Sequence, residues 1–214
     1  MATMGRPRTF DRDTAVTQAL HLFWEHGYDA TSLSQLKASI GGGISAPSFY
    51  AAFGSKEALF KEVISRYLNT HGRVTDSLFD TSLPPREAIE RCLRNSARMQ
   101  CEPGHPRGCL VALGTMSSCS EESTLIFAPL AEARAKNLAG IEACIERAIA
   151  LEDLPAGTQV QAMAAMFNSF MLGLSTLARD GAGKEVLDGA VTQVMRVWPS
   201  ITFTDLGSHA ELFE

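Results

Sequence analysis

The residues best suited to meeting a partner lie between positions 31 and 56 of the 214-residue chain. In Ser45-Ala46-Pro47-Ser48-Phe49-Tyr50, the hydroxyls of Ser45, Ser48 and Tyr50 accompany the small Ala46 and Pro47. Hydroxyls and backbone N–H groups hold phosphate oxygens, and small side chains let a helix end approach base edges closely. Thr31 adds a hydroxyl near the start of one short helix, and Lys56 a cation at the start of another. A cation there faces the positive end of the peptide dipoles, which is mildly unfavourable, and a neighbouring phosphate reverses the sign. Arg6 and Arg8 flank Pro7 in a basic arm, suited either to a minor groove or to solvent. Phe49 and Phe53 read as core.

A second group is the thiols. The cysteines at 92, 101, 109, 119 and 144 are odd in number and contain no CxxC, which fits a reducing, cytoplasmic compartment better than a disulfide framework. Cys109 follows Arg107-Gly108 and opens an expected helix; a cation and a helix N-terminus both stabilise a thiolate. The competing reading is an inert, buried thiol. Cys101, His105 and Cys109 do not have a standard zinc spacing, and Pro103 and Pro106 keep them off one helical face, so no metal or cofactor is expected. The chain contains no P-loop, GxSxG or HExxH and no recognisable acid/base pair, so it reads as a non-enzyme.

The elements that position these groups read as helices. Val16, Ala19, Leu20, Phe23 and Trp24 share one helical face, with Asp11 or Asp13 as cap and Gly27 as stop. Thr31 or Ser32 caps a second helix carrying Leu33 and Leu36. After Gly41-Gly42-Gly43, Ser45 caps a third, with Pro47 in the first turn, where a missing N–H costs nothing. Gly54-Ser55 recaps the chain into a fourth. Two short helices joined by a glycine turn after a longer amphipathic one make a helix-turn-helix, whose second helix can enter a major groove. Further helices are expected from Pro84-Pro85, over Cys109–Met116, and in a long segment to Leu151. That segment carries a capping pair, Ser118 and Glu121, with a kink or late start at Pro129. The last two are expected over Thr158–Arg179 and Lys184–Trp198. This is an all-α chain of about nine helices: a helix-turn-helix domain over 1–55 with the basic arm, a larger helical domain over 56–200, and a tail over 201–214.

Hydrophobic residues make up 45% and charged residues 20%, a globular balance. The net charge of −5 excludes a uniformly basic surface, yet residues 1–71 hold seven Lys/Arg against six Asp/Glu and the remainder twelve against eighteen. Only the first third suits a polyanion. Leu154–Ala178 carries no formal charge, but Gln159, Gln161, Asn168, Ser169, Ser175 and Thr176 make it a buried helix in preference to a membrane span.

Phe23 through Gly27, Thr31 and the run S-A-P-S-F-Y-A-A-F-G-S-K-E-A-L-F resemble the DNA-binding signature of the TetR family of transcription regulators. The resemblance spans about the first third of the chain. It implies a homodimer that binds an operator in double-stranded DNA and leaves it when a small-molecule or oxidant effector enters the C-terminal domain. It further implies that Thr31 meets a phosphate, that Ser45, Ser48 and Tyr50 meet backbone or bases with Ala46 and Pro47 beside them, and that Lys56 meets the backbone. Met99, Cys109, Met116, Phe127, Met163, Met166, Phe167 and Phe170 are candidates to line an apolar effector cavity, although the same residues make ordinary core. The last two helices are expected to form the dimer interface, with Ala165, Ser169 and Gly173 allowing close approach. The stretch Ser39–Ile44 holds about two residues more than the usual family turn. If that enlarged turn spoils DNA docking, the alternative is a ligand-binding or thiol- or metal-sensing dimer.

Overall fold

The computed structural model describes residues 11–114 and 121–199, without the side chains of 121–124. Arg6, Arg8, Met116, Cys119, the Ser118 cap and the tail 201–214 lie outside the described residues. Within them there are nine α-helices and no strand: α1 (Arg12–His26), α2 (Leu33–Ser39), α3 (Ala46–Phe53), α4 (Lys56–Asn69), α5 (Pro85–Met99), α6 (Leu110–Leu113), α7 (Glu121–Ala150), α8 (Val160–Arg179) and α9 (Lys184–Val194). The all-α reading therefore holds. A 3-10 segment over His71–Phe79 has no counterpart among the elements expected from spacing. The long helix α7 starts eight residues before Pro129, so the late start is not taken.

The chain divides into two compact units. One comprises residues up to Arg73 together with Pro103–Ala133; the other comprises Val74–Glu102 and Arg134 onward.

In the first unit, α1 buries the stripe its spacing dictates: Ala15, Val16, Ala19, Leu20, Phe23 and Trp24. It packs on the buried face of α4, Leu59, Phe60, Val63, Ile64 and Tyr67. Each such large side chain contributes about 1.5–3 kcal/mol on burial. Charged ties flank the seam: Arg12 grips Glu62 through two bonds of 2.6 and 2.7 Å, and Arg66 pairs with Asp13 and donates to the Thr17 hydroxyl at 2.9 Å. These ties lie at or near the surface and add register more than stability. Asp11 caps α1 through its side chain, deciding between the two aspartates.

In the second unit, α5 contributes Ala88, Ile89, Cys92, Leu93 and Ala97 to a core shared with Ile141, Cys144, Ile145 and Ala148 of α7, Phe167, Met171 and Leu174 of α8, and Leu187 and Val191 of α9. Arg94 bridges α5 to α9, donating to Glu90 at 2.7 Å and Asp188 at 2.8 Å.

Candidate nucleic-acid interface

The helix-turn-helix is built from local capping chemistry. Ser32 is the N-cap of α2: its hydroxyl accepts from the Gln35 N–H at 3.1 Å while the Gln35 side chain accepts from the Ser32 N–H at 2.7 Å. That reciprocal pair satisfies two otherwise orphaned donors, and the S-x-x-Q spacing is its sequence signal. Thr31 is fully buried, and its hydroxyl donates to the Gly27 carbonyl at 2.6 Å. The Thr31 hydroxyl, from which a phosphate contact is expected, is turned inward here, where it closes the turn between α1 and α2. Exposed Ser32 occupies the surface position instead.

The enlarged turn is looped out. Its three glycines have φ of 59°, 73° and 95°, left-handed values that a side chain would disfavour. The Ile44 N–H nevertheless bonds the Lys37 carbonyl at 2.8 Å. A common helix-ending bond reaches back five residues, and here it reaches back seven, so two residues bulge while the closure survives. Gly42 and Gly43 face solvent and Ile40 is fully buried.

Helix α3 follows, capped by Ser45, whose hydroxyl accepts from the Ser48 N–H at 3.2 Å. Phe49 and Phe53 point into the core, at 0% and 6% exposure. Ser45, Pro47, Ser48 and Tyr50 are exposed, and Ala46 is half-buried. The helix therefore presents a small, hydroxyl-bearing face with one aromatic, Tyr50, held edge-on to Phe49 at 5.7 Å. Lys56 opens α4 beyond the Ser55 cap. Its Nζ lies 4.2 Å from the centre of the Tyr28 ring, and burial lowers its pKa from the ordinary value, with Asp29 opposing. The ring face offsets the dipole penalty in the free protein, and no local sequence pattern pointed to it. Tyr28 in turn stacks on Phe23, is tilted against Phe60 and stands edge-on to Phe127.

Residues 16–63 match the family described as bacterial regulatory proteins, tetR family. The HTH-type transcriptional repressor ComR of Escherichia coli K12 is 31% identical over 198 residues, covering 92% of this chain and 93% of ComR. The chain belongs to the TetR family. A solved structure of the TetR family transcriptional regulator CifR, a cysteine mutant complexed with 26 bp double-strand operator DNA, is 37% identical with a TM-score of 0.79, covering 91% of this chain and 100% of that one. The HTH-type transcriptional repressor BdcR of E. coli K12 is 35% identical over 113 residues, 53% of this chain and 56% of BdcR.

The remaining candidates in this TetR-family regulator fall into two groups. Phe127 is buried in the first unit, edge-on to Phe60 at 5.8 Å. Cys109 is half-buried in the same unit and accepts a hydrogen bond from the Tyr67 hydroxyl at 3.1 Å. Met99 and Phe167 are buried in the second unit, where Met163, Met166 and Phe170 pack half-buried against the core around Phe167. Cys92 and Cys144 are core thiols: burial pushes Cys92 up to about 12 and raises Cys144. Among the described residues no group of three or more His, Cys, Asp or Glu side chains is arranged to hold a metal ion.

Proposed function

We propose that this TetR-family regulator is a dimeric repressor. Its two α3 helices enter major grooves of a near-palindromic operator, with half-sites about one helical turn or more apart. The observation that carries the reading is the division of α3, with Phe49 and Phe53 buried and Ser45, Pro47, Ser48 and Tyr50 exposed. Lys56, at the start of the next helix, supplies a phosphate contact, and Arg6 and Arg8 supply the arm. The operator DNA in the CifR complex and the repressor designation of ComR support the same reading. The protein acts in the cytoplasm, where its DNA is.

The dimer uses α8 and α9. Helix α8 is long and apolar enough by composition to cross a membrane, yet only Ala164, Phe167, Met171, Leu174, Ser175 and Ala178 are buried along it. Ala165, Ser169, Gly173 and Leu177 form an exposed ridge at four-residue spacing, and Val186, Gly189 and Val197 lie exposed on α9 and just beyond it. Such a ridge packs closely into a partner's groove. An apolar effector held near Met99, Met163, Met166 and Phe170 releases the operator by favouring a different spacing of the two reading heads. This requires unequal affinity for the two states.

Selection of DNA from a random library with the purified protein tests the reading. A palindromic site is expected, bound more weakly as salt rises because phosphate neutralisation releases counterions. Tyr50→Ala is expected to erode discrimination between sequences. Lys56→Ala is expected to weaken all sequences alike and to flatten the salt slope by about 1 for each phosphate left without its cation. If nothing is enriched even at low salt, the protein is a ligand-binding dimer without a working reading head.

A second reading concerns the effector. The Tyr67 phenol is held well above its ordinary pKa, chiefly by burial, so it remains an O–H donor toward Cys109. A donor on the sulfur favours thiolate, the reactive form. Cys109 then senses oxidants or electrophiles while Cys92 and Cys144 stay inert. Mass spectrometry after brief treatment with a thiol-reactive probe is expected to find Cys109 labelled, and labelled more slowly in Tyr67→Phe. An unlabelled Cys109 would sink this reading and leave the repressor reading intact.

A further inference from the structure

The enlarged turn is fastened from outside the helix-turn-helix. Gly41 is half-buried, and its N–H takes no part in the Ile44–Lys37 bond that closes the turn. The Gln18 Oε1, from α1, accepts that N–H at 2.8 Å. Only the amide oxygen can do so, because the backbone N–H needs an acceptor. Without it the Gly41 N–H loses its acceptor in the protein, and with it the net strength of about one ordinary hydrogen bond. Gln18 flanks the buried stripe of α1 next to Ala19, so the helix that carries it is rigidly seated on α4. The turn ends at Ile44, one residue before the Ser45 cap of α3. Three consecutive residues with positive φ otherwise give this connection wide freedom, since glycine populates that region at little cost. The acceptor on α1 removes much of that freedom.

We propose that Gln18 is a positioning residue for α3: it latches the two-residue bulge, and so sets the angle at which the recognition helix meets the groove and the discrimination that angle permits. The proposal rests on the DNA-reading conclusion above. Gln18 itself does not contact DNA. It acts through the turn, so its loss leaves phosphate contacts, and hence the salt dependence of binding, as they were.

Amide hydrogen exchange on the DNA-free, full-length protein tests the latch. Gln18→Met keeps the length of the side chain and loses the acceptor; Gln18→Glu keeps an acceptor. Exchange at Gly41 is expected to quicken about tenfold in Gln18→Met, the factor a hydrogen bond of ordinary net strength supplies, and to stay near wild type in Gln18→Glu. The change is expected within residues 40–44; acceleration spread through α1 and α4 would mean general loosening and would overturn a positioning role. In DNA titrations, Gln18→Met is expected to lower the ratio of selected-site to scrambled-site affinity about tenfold, with the salt slope unchanged and Gln18→Glu rescuing. Unchanged Gly41 exchange overturns the latch with the DNA-reading conclusion intact. Faster exchange with unchanged selectivity overturns its role in positioning. A wild-type protein that binds no DNA overturns the reading head itself, while the exchange data still decide the latch.

Discussion

A chain carrying Leu177→Arg will run as a monomer and lose operator affinity by a factor of about 10²–10⁴. Leu177 is 48% exposed and ends the ridge that begins at Ala165. In the lone chain the new guanidinium reaches water, so the fold tolerates it. At a dimer interface it buries an unpaired charge in two symmetric copies, which the interface does not survive. The cost to DNA binding exceeds that of any single side chain, because two linked heads bind the second half-site at high effective concentration and two separate ones do not. Sedimentation gives the mass, and titration of the full operator and of a half-site gives the affinities; half-site binding should be nearly unchanged. A Leu177→Arg protein that keeps its dimer mass would move the interface away from α8.

The largest effect on stability is expected from Phe60→Ala, a loss of about 3–5 kcal/mol. The Phe60 ring is fully buried and stands 5.0 Å from Phe23, 4.8 Å from Tyr28 and 5.8 Å from Phe127. It joins α4 to α1, to the turn before α2 and to the first half of α7. Alanine leaves a cavity among rings that cannot collapse into it without losing their mutual edge contacts. Denaturant unfolding at fixed protein concentration measures the loss, since the proposed dimerisation adds a concentration-dependent term. A loss below about 1 kcal/mol would mean that the neighbouring rings close over the gap. Because Phe60 also backs Tyr28, and Tyr28 backs Lys56, operator binding should fall even where the variant is still folded.

Much of the reading head was legible in the chain. Caps and stops are local, so Ser45, Ser55 and Gly54 announced the ends of α3 and α4, and the apolar stripe of α1 followed from helical spacing alone. The division of α3 was equally legible, because Phe49 and Phe53 stand four residues apart on the face opposite Ser48. Other features involve residues distant in sequence. Nothing near Lys56 signals that its ammonium lies on Tyr28, whereas the Thr31 bond to Gly27 and the Ser32 cap are local, and the S-x-x-Q spacing favours Ser32 as the cap. The uncharged run before Ala178 read as a buried helix, whereas only one stripe of it is buried within the chain. Composition reports how apolar a helix is and leaves open which face meets its own core and which awaits another surface.

The turn at Gly41 marks the boundary most sharply. The sequence by itself determined that two extra residues had to be absorbed and that glycines could absorb them, since φ preference is a property of the residue. How the bulge is held was decided only by tertiary structure: the Lys37 carbonyl still meets the Ile44 N–H, and the Gln18 side chain, 23 residues earlier, meets the Gly41 N–H. A hydrogen bond between residues so far apart exists only once α1 has packed, because its geometry is set by that packing and no local preference encodes it.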